Sequence, residues 1–181
     1  MTIESTEIPD VKVVRRKAFG DARGYFEETW REDEFLKVGI DARFVQDNHS
    51  FSTKGVLRGL HWQKPPHSQG KLVSVISGRI VDVAVDIRKG SPTFGKWVME
   101  ELSEANHTSL WIPPGFAHGF MVLSDTAHFM YKCTDTYHPE CEAGMRWNDP
   151  TLAISWPTEG MTVLTSPKDM SAQLFSESVA I

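Results

Sequence analysis

Only two of the 181 residues are cysteine, Cys133 and Cys141. Two thiols make no disulfide framework, and both read as free thiols of a reducing compartment. Long apolar runs are missing as well. No stretch approaches the roughly 20 apolar residues that a membrane-spanning helix needs. The opening residues, MTIESTEIPDV, lack a basic segment followed by an apolar one. No secretory signal is therefore expected, and the expected location is the cytoplasm. Positive charge is not in excess: 19 Lys and Arg against 24 Asp and Glu leave a net charge of −5. That balance argues against nucleic acid or a membrane surface as the main partner. Neither a P-loop nor a G-x-G-x-x-G fingerprint occurs, so any bound diphosphate must be held by side chains. No repeat, low-complexity segment or linker divides the chain. Residues 1–181 are expected to be one domain, long enough to bury a core.

What is present is a rhythm of short extended segments. Val81, Val83, Val85 and Ile87 alternate with Asp82, Ala84 and Asp86, the period of two that marks a strand. Residues 71–76 precede it across Ser77-Gly78, a tight-turn signal. Further strands are expected at residues 44–45, 56–62, 97–102, 109–112, 119–123 and 128–134. Gly90-Ser91-Pro92, Pro113-Pro114-Gly115 and Ser124-Asp125 separate several of them. One short helix is expected over residues 32–38, ended by Gly39 as the C′ residue. Many short strands at such spacing point to a mainly β fold, a sandwich or barrel. The chain after Trp156 has weaker patterning and is expected to pack across the outside.

Two segments carry the chemistry. The first is Gly55-Val-Leu-Arg58-Gly-Leu-His61-Trp-Gln63, followed by Gln69-Gly-Lys71; the second is Pro113-Pro-Gly115-Phe-Ala-His118-Gly119. Together they resemble the paired motifs of the cupin superfamily, small jelly-roll barrels of which many hold a metal through three histidines and a glutamate. Here Gln63 stands where the second histidine would be, and Gln69 stands near the position of the glutamate. A neutral amide is a poor donor to zinc, iron or manganese, and His61 and His118 alone rarely hold a catalytic ion. No metal and no cofactor are expected. Arg58 and His61 differ by three positions, which puts them on opposite faces of a regular strand. A bulge near Gly59 would bring them together.

The order and spacing of further strings are more specific. They are Phe19-Gly-Asp-Ala-Arg23-Gly-Tyr-Phe26-Glu-Glu28, Phe44-Val-Gln46-Asp-Asn48-His-Ser50, Asp82-Val-Ala-Val-Asp86-Ile-Arg88 with Gly90-Ser-Pro-Thr-Phe-Gly95, Ile112-Pro-Pro-Gly-Phe-Ala-His118-Gly-Phe120, Tyr131-Lys132 and Trp147-Asn-Asp149. With the segment around His61, they resemble the dTDP-4-dehydrorhamnose 3,5-epimerase family from about Ile8 to Asp169. The resemblance implies a cupin-like jelly roll and a cofactor-independent isomerase. Its substrate would be dTDP-4-dehydro-6-deoxy-D-glucose. The C3 and C5 hydrogens of that sugar flank the C4 ketone, so each can leave as a proton to give an enolate. Return of a proton from the other face inverts the centre.

Such chemistry needs a base, an opposing acid and a partner for the enolate oxygen. At family positions His61 would be the base; an imidazole with its ordinary pKa of about 6.5 suits the task. Tyr131 would be the opposing proton donor, since a phenol near pKa 10 stays protonated at neutrality. Lys71 lines the sugar site in this resemblance, and its charge suits the enolate oxygen. A carboxylate would orient His61. The resemblance points to Asp169, while strand pattern alone offers Asp82 or Asp86; Asp169 in Ser166-Pro-Lys168-Asp169 also reads as a helix N-cap. The resemblance further implies nucleotide and diphosphate contacts from Arg23, Glu28, Gln46, Asn48, Arg58 and Lys168, substrate contacts from His118 and Glu142, and thymine stacking on Tyr137. It implies a homodimer in which the N-terminal segment with Arg23 and Glu28 completes the neighbour's site. Residues 8–14 fit an edge strand that pairs across the two-fold axis.

Four rival readings remain. A sugar-nucleotide ketoisomerase would share the barrel, but the complete Tyr131 and Asp169 set argues against it. A relative inverting only C3 or C5, in an antibiotic-sugar pathway, would keep the same residues. A cupin that only binds a nucleotide sugar would not need the base and acid. A metal-dependent cupin oxygenase would need ligands where Gln63 and Gln69 stand.

Overall fold

The computed structural model describes residues 1–178; the last three residues of the expected single domain lie outside the described part. Along the chain the strands are β1 (Thr2–Ser5), β2 (Lys12–Arg15), β3 (Ala18–Asp21), β4 (Gly24–Glu27), β5 (Gln46–Thr53), β6 (Leu57–Gln63) and β7 (Lys71–Ser77). They continue as β8 (Arg79–Asp86), β9 (Trp97–Ser103), β10 (Thr108–Ile112), β11 (Phe116–Val122), β12 (Thr126–Cys133) and β13 (Glu142–Gly144). Short helices are α1 (Glu32–Lys37), α2 (Pro167–Met170) and α3 (Phe175–Ser178).

Two antiparallel sheets stack as a cupin-like jelly roll. One has the order β1-β2-β10-β7-β12-β5 and the other β13-β6-β11-β8-β9, with β3 and β4 as a separate hairpin. The alternation read from the sequence explains the layers. On β8, Ile80 and Ala84 join the core between the sheets, while Val81, Val83 and Val85 face a second apolar layer. That second layer is closed by Met145, Leu152, Trp156 and Phe175 from the C-terminal stretch. A third cluster, including Val14, Phe35, Ile40, Leu72 and Trp111, seats α1 on the outside of the six-stranded sheet. Each buried aliphatic side chain contributes about 1.5–3 kcal/mol by leaving water. The Ser77-Gly78 turn joins β7 to β8 as expected, and Gly78 has φ +91 with the Thr126 carbonyl 2.2 Å from where a Cβ would sit. A side chain would not fit there.

Several expectations shift. The helix and most strands stand within a residue or two of their expected bounds, but β5 begins at Gln46 rather than spanning residues 44–45. The N-terminal strand is shorter than residues 8–14, and β1 takes the sheet edge outside it. Ile8 and Val11 are buried instead.

Candidate active site

The site starts from an irregularity in β6. His118 on β11 lies opposite His61, and Phe120 lies opposite Arg58, so three steps on β6 match two on β11. The extra residue is the bulge expected near Gly59. It places Arg58 and His61 on the same inner face, while Leu57, Leu60 and Trp62 pack into the outer layer. Gly59 has φ +119, and an added Cβ would lie 2.6 Å from the Gly119 Cα and from the His118 carbonyl oxygen. Only glycine allows the two strands this approach at that backbone angle.

Arg58, His61, Lys71, His118, Tyr131, Glu142, Lys168 and Asp169 line a cavity of about 480 Å³ between the sheets, a size suited to a small ligand. A neighbouring cavity of about 250 Å³ shares His61, Lys71, Tyr131 and Glu142 and adds Gln46, Asn48 and Tyr137. Eleven of the thirteen expected site residues thus meet around one connected space. Arg23 and Glu28 do not. Arg23 sits in the β3–β4 turn against Asp21, and Glu28 pairs with Arg31 at 3.6 Å.

The carboxylate beside His61 is that of Asp169. His61 Nε2 lies 2.5 Å from Asp169 Oδ1, across 108 residues of sequence. Asp169 is not the helix cap: Ser166 is, accepting the Asp169 backbone N–H at 3.1 Å. The cap fixes the first turn of α2 and with it the carboxylate. Burial pushes Asp169 up, but the His61 hydrogen bond and charge, Ser166 and the Gly59 backbone overcome it and hold the carboxyl below its ordinary pKa. The two rival carboxylates are engaged elsewhere. Asp86 accepts from the Arg88 side chain, Ser91 and Thr93 and ties down the turn after β8. Asp82 Oδ2 lies 2.9 Å from His118 Nε2. Both partners of this second pair are buried, and burial raises Asp82 and lowers His118. The sequence offered Asp82 only as a partner for His61. The missed signal is that β8 and β11 are adjacent antiparallel strands, with Ala84 opposite His118 and Asp82 one inward step away.

Tyr131 projects inward from β12, packed on Phe129 with ring centroids 5.6 Å apart. Burial and the nearby Cys133 raise its phenol, against the charge of Arg58. The Lys71 ammonium lies 5.9 Å from the Tyr131 ring centroid. Burial lowers its pKa; Cys133, Asp82 and Glu142 oppose that shift. At the mouth, Tyr137 donates to Glu142 at 2.8 Å, and Lys168 pairs with the same carboxylate oxygen at 2.6 Å. Gln46 accepts the Tyr137 backbone N–H and donates to Asn48. The two cupin-position glutamines line the second cavity, but their amides bond the backbone. Gln63 donates to the His67 and Thr136 carbonyls and accepts the His138 N–H, and Gln69 donates to the Asp135 carbonyl. Sequence reasoning also missed Leu164 and Thr165, which line the larger cavity without any charge or motif to mark them, and gave no role to Ser50 and Phe120, which line it from the quoted strings.

Residues 5–177 match the family model described as dTDP-4-dehydrorhamnose 3,5-epimerase. The chain belongs to that family. It is an epimerase, of the isomerase class. The dTDP-4-dehydrorhamnose 3,5-epimerase of Shigella flexneri is 53% identical over 176 residues, covering 97% of this chain and 96% of that protein. A Neisseria gonorrhoeae protein of the same name is 52% identical over 177 residues, but this chain spans only 53% of its length. The crystal structure of a dTDP-6-deoxy-D-glucose-3,5-epimerase from Legionella pneumophila Philadelphia 1, in complex with dTDP-4-keto-L-rhamnose, matches with a TM-score of 0.93 and 53% identity. That match covers 97% of this chain and 93% of the other. No helix among the described residues is long and apolar enough to cross a membrane.

Proposed function

We propose that the chain epimerises dTDP-4-dehydro-6-deoxy-D-glucose at C3 and C5 to dTDP-4-dehydro-L-rhamnose, with His61 as base and Tyr131 as the opposing acid. The observation that carries these roles is their placement. His61 stands on β6 of the five-stranded sheet and Tyr131 on β12 of the six-stranded sheet, and both line the same cavity. A sugar held between the sheets meets a proton acceptor on one face and a proton donor on the other. Because His61 Nε2 faces Asp169, Nδ1 is the nitrogen left to take the proton. Asp169 then stabilises the imidazolium that forms. Lys71 meets the C4 oxygen as it gains charge, with the His118–Asp82 pair behind it. Raised above its ordinary pKa, Tyr131 keeps its proton until the carbanion takes it from the opposite face.

The second cavity suits the nucleotide. Tyr137 stacks on the thymine, Gln46 and Asn48 contact the base and sugar side, and Arg58 and Lys168 meet the diphosphate. Glu142 positions Tyr137 and Lys168. Arg23 and Glu28 act in the neighbouring subunit of a homodimer. In support, the β3–β4 hairpin leaves Phe19, Tyr25 and Phe26 more than half exposed, Phe26 at 71%, an apolar surface that a second copy would cover. The chain works as one domain in the cytoplasm, and the two free thiols agree with that compartment.

Incubation with dTDP-4-dehydro-6-deoxy-D-glucose in heavy water, followed by NMR, tests the reaction. Deuterium at both C3 and C5 of an L-configured product is expected. Label at a single centre would instead identify a one-centre epimerase, and no label would overturn the proposal. The His61→Asn variant is expected to lose nearly all exchange while still binding dTDP. Sedimentation of the full chain tests the homodimer.

A further inference from the structure

Beyond the cavity, one cluster of side chains has the donor set of a metal site. His67, in the loop between β6 and β7, faces Asp135 and His138, in the segment after β12. One ligand atom from each lies within 4.8 Å of the other two, and all three residues are partly buried. His67 Nδ1 is 3.0 Å from Asp135 Oδ2. The His67 and His138 rings are stacked, with centroids 3.5 Å apart. Glu140 Oε1 is 3.2 Å from His138 Nδ1. With Glu140 accepting the Nδ1–H, His138 Nε2 keeps its lone pair, which faces the Thr136 hydroxyl at 3.1 Å and which an ion would take in place of that hydroxyl. An outer carboxylate selects the ligating nitrogen of a histidine in this way.

The backbone beneath the cluster is also fixed. The His67 carbonyl and the His138 N–H are held by Gln63, and the Asp135 carbonyl by Gln69. Every one of the three residues is therefore tied by a glutamine, and little chain entropy is left to lose when an ion is bound. A tetrahedral zinc with bonds of about 2.0–2.2 Å sets its ligands about 3.3 Å apart. Side-chain rotation closes the remaining gap and turns the stacked rings toward a common point. Two imidazoles and one carboxylate suit zinc, nickel or copper and not magnesium or calcium, and partial exposure leaves further positions to water.

We propose that His67, Asp135 and His138 bind one divalent ion of the borderline transition series, zinc foremost, which staples residues 64–70 to residues 134–138. The ion is remote from the proton chemistry: it shares no residue with the His61–Asp169 pair. Its effect is on Tyr137, which lies between two of the ligands and lines the second cavity. That effect rests on the nucleotide role given to Tyr137 above, whereas ion binding does not.

The test uses the full chain stripped of metal with a chelator and then freed of it. Zinc chloride is titrated against a chromophoric zinc chelator, and cobalt(II) is used to read the coordination sphere by visible absorption. One equivalent per chain is expected, with tetrahedral or five-coordinate cobalt bands. His67→Ala, His138→Ala and Asp135→Asn are each expected to weaken zinc at least about tenfold, and Glu140→Gln less so. Circular dichroism establishes that the variants are folded. Unchanged binding in the His67→Ala/His138→Ala double variant, or binding weaker than about 1 mM, would mean an adventitious ion only and would overturn the site. Loss of binding in His61→Ala instead would place the ion in the cavity and overturn it equally. A zinc-dependent rise in dTDP affinity, absent from His138→Ala, supports the effect on Tyr137; its absence with zinc bound removes that effect and leaves the site standing.

Discussion

Replacing Asp169 by Asn isolates the charge behind His61. The exchange keeps side-chain size, and the backbone N–H of residue 169 still caps onto Ser166, so α2 is expected to stay in place. Two orientations of the new amide are open. With its NH₂ toward His61 it donates to Nε2, which puts the ring proton on Nδ1 and removes the base. With its oxygen toward His61 the tautomer survives, but the imidazolium formed on proton transfer loses its counter-charge. Two unit charges about 4 Å apart interact by about 4 kcal/mol at an effective dielectric of 20. The His61 side chain is 32% exposed and that of Asp169 5%, so screening reduces this to about 2–3 kcal/mol. At 1.4 kcal/mol per factor of ten, the rate falls about 30- to 140-fold. The assay is deuterium incorporation at C3 and C5 under single-turnover conditions, with dTDP affinity measured separately by calorimetry. The expected result is a loss confined to turnover, with dTDP affinity held within about threefold. A rate within threefold of the parent, or a loss seen only in binding, would refute the role of Asp169 as the partner of the base.

Other perturbations separate chemistry from scaffold. Tyr131→Phe is expected to cut L-configured product about 10²- to 10⁴-fold while some solvent deuterium still enters, because His61 can return a proton to the face it came from; near-normal inversion by NMR would show that the acid lies elsewhere. Asp86→Asn is expected to retain turnover and lose stability. The Asp86 carboxyl lies at about 2 rather than 3.8, burial pushing it up and Arg88, Ser91 and Thr93 more than offsetting that. At about 1.4 kcal/mol per pH unit this contributes about 2–3 kcal/mol. A depressed carboxyl stabilises the fold above the unfolded pKa near 4, and that contribution fades as pH falls toward 2. Denaturant melts should therefore separate parent and variant at pH 7 and bring them together near pH 2; equal stability at pH 7 would count against the bond network. Gly59→Ala is expected to cost about 2–4 kcal/mol in the same melts, because a Cβ there meets strand β11 at positive φ. An unaffected midpoint would mean that the bulge can relax.

The strands easiest to read were those whose two faces meet different kinds of apolar layer. β8 carries its valines outward and Ile80 and Ala84 inward, and β7 is closed by a turn that only glycine fits. β5 was nearly invisible for the opposite reason. Its inward residues Gln46, Asn48 and Ser50 line the cavities, and its outward residues Asp47 and His49 are exposed. A strand with polar residues on both faces shows no hydrophobic alternation. β1, β3, β4 and β13 are three or four residues long, too short for a period to register. A bulge or bend near Gly59 was one way to bring Arg58 and His61 to one face, but only the pairing of β6 with β11 shows that it is a bulge. The partner of His61 did not follow from pattern: Asp169 comes from a four-residue helix in the weakly patterned tail, and only family resemblance singled it out. Strand pattern correctly aimed Asp82 inward but could not say which histidine it meets, because that depends on which strand lies beside β8.

Gln63 and Gln69 change meaning once the fold is known. In the sequence they mark where a cupin's metal ligands would stand. In the structure their amides grip the backbone of the two segments flanking Tyr137. Both polar atoms of the Gln63 amide are already hydrogen-bonded to the backbone. The two inward histidines are committed as well, His61 through Nε2 to Asp169 and His118 through Nε2 to Asp82. Each keeps one ring nitrogen, and a carboxylate behind it to stabilise positive charge when a proton arrives. Convergent lone pairs would favour a cation at the centre of the barrel. The arrangement proposed above instead sets a proton acceptor, His61, in one sheet opposite a proton donor, Tyr131, in the other, with Lys71 on the strand beside Tyr131. The substitution of amides for ligands therefore has a structural consequence of its own: it stiffens the rim of the second cavity on which Tyr137 stands, where the proposed base stacking would occur.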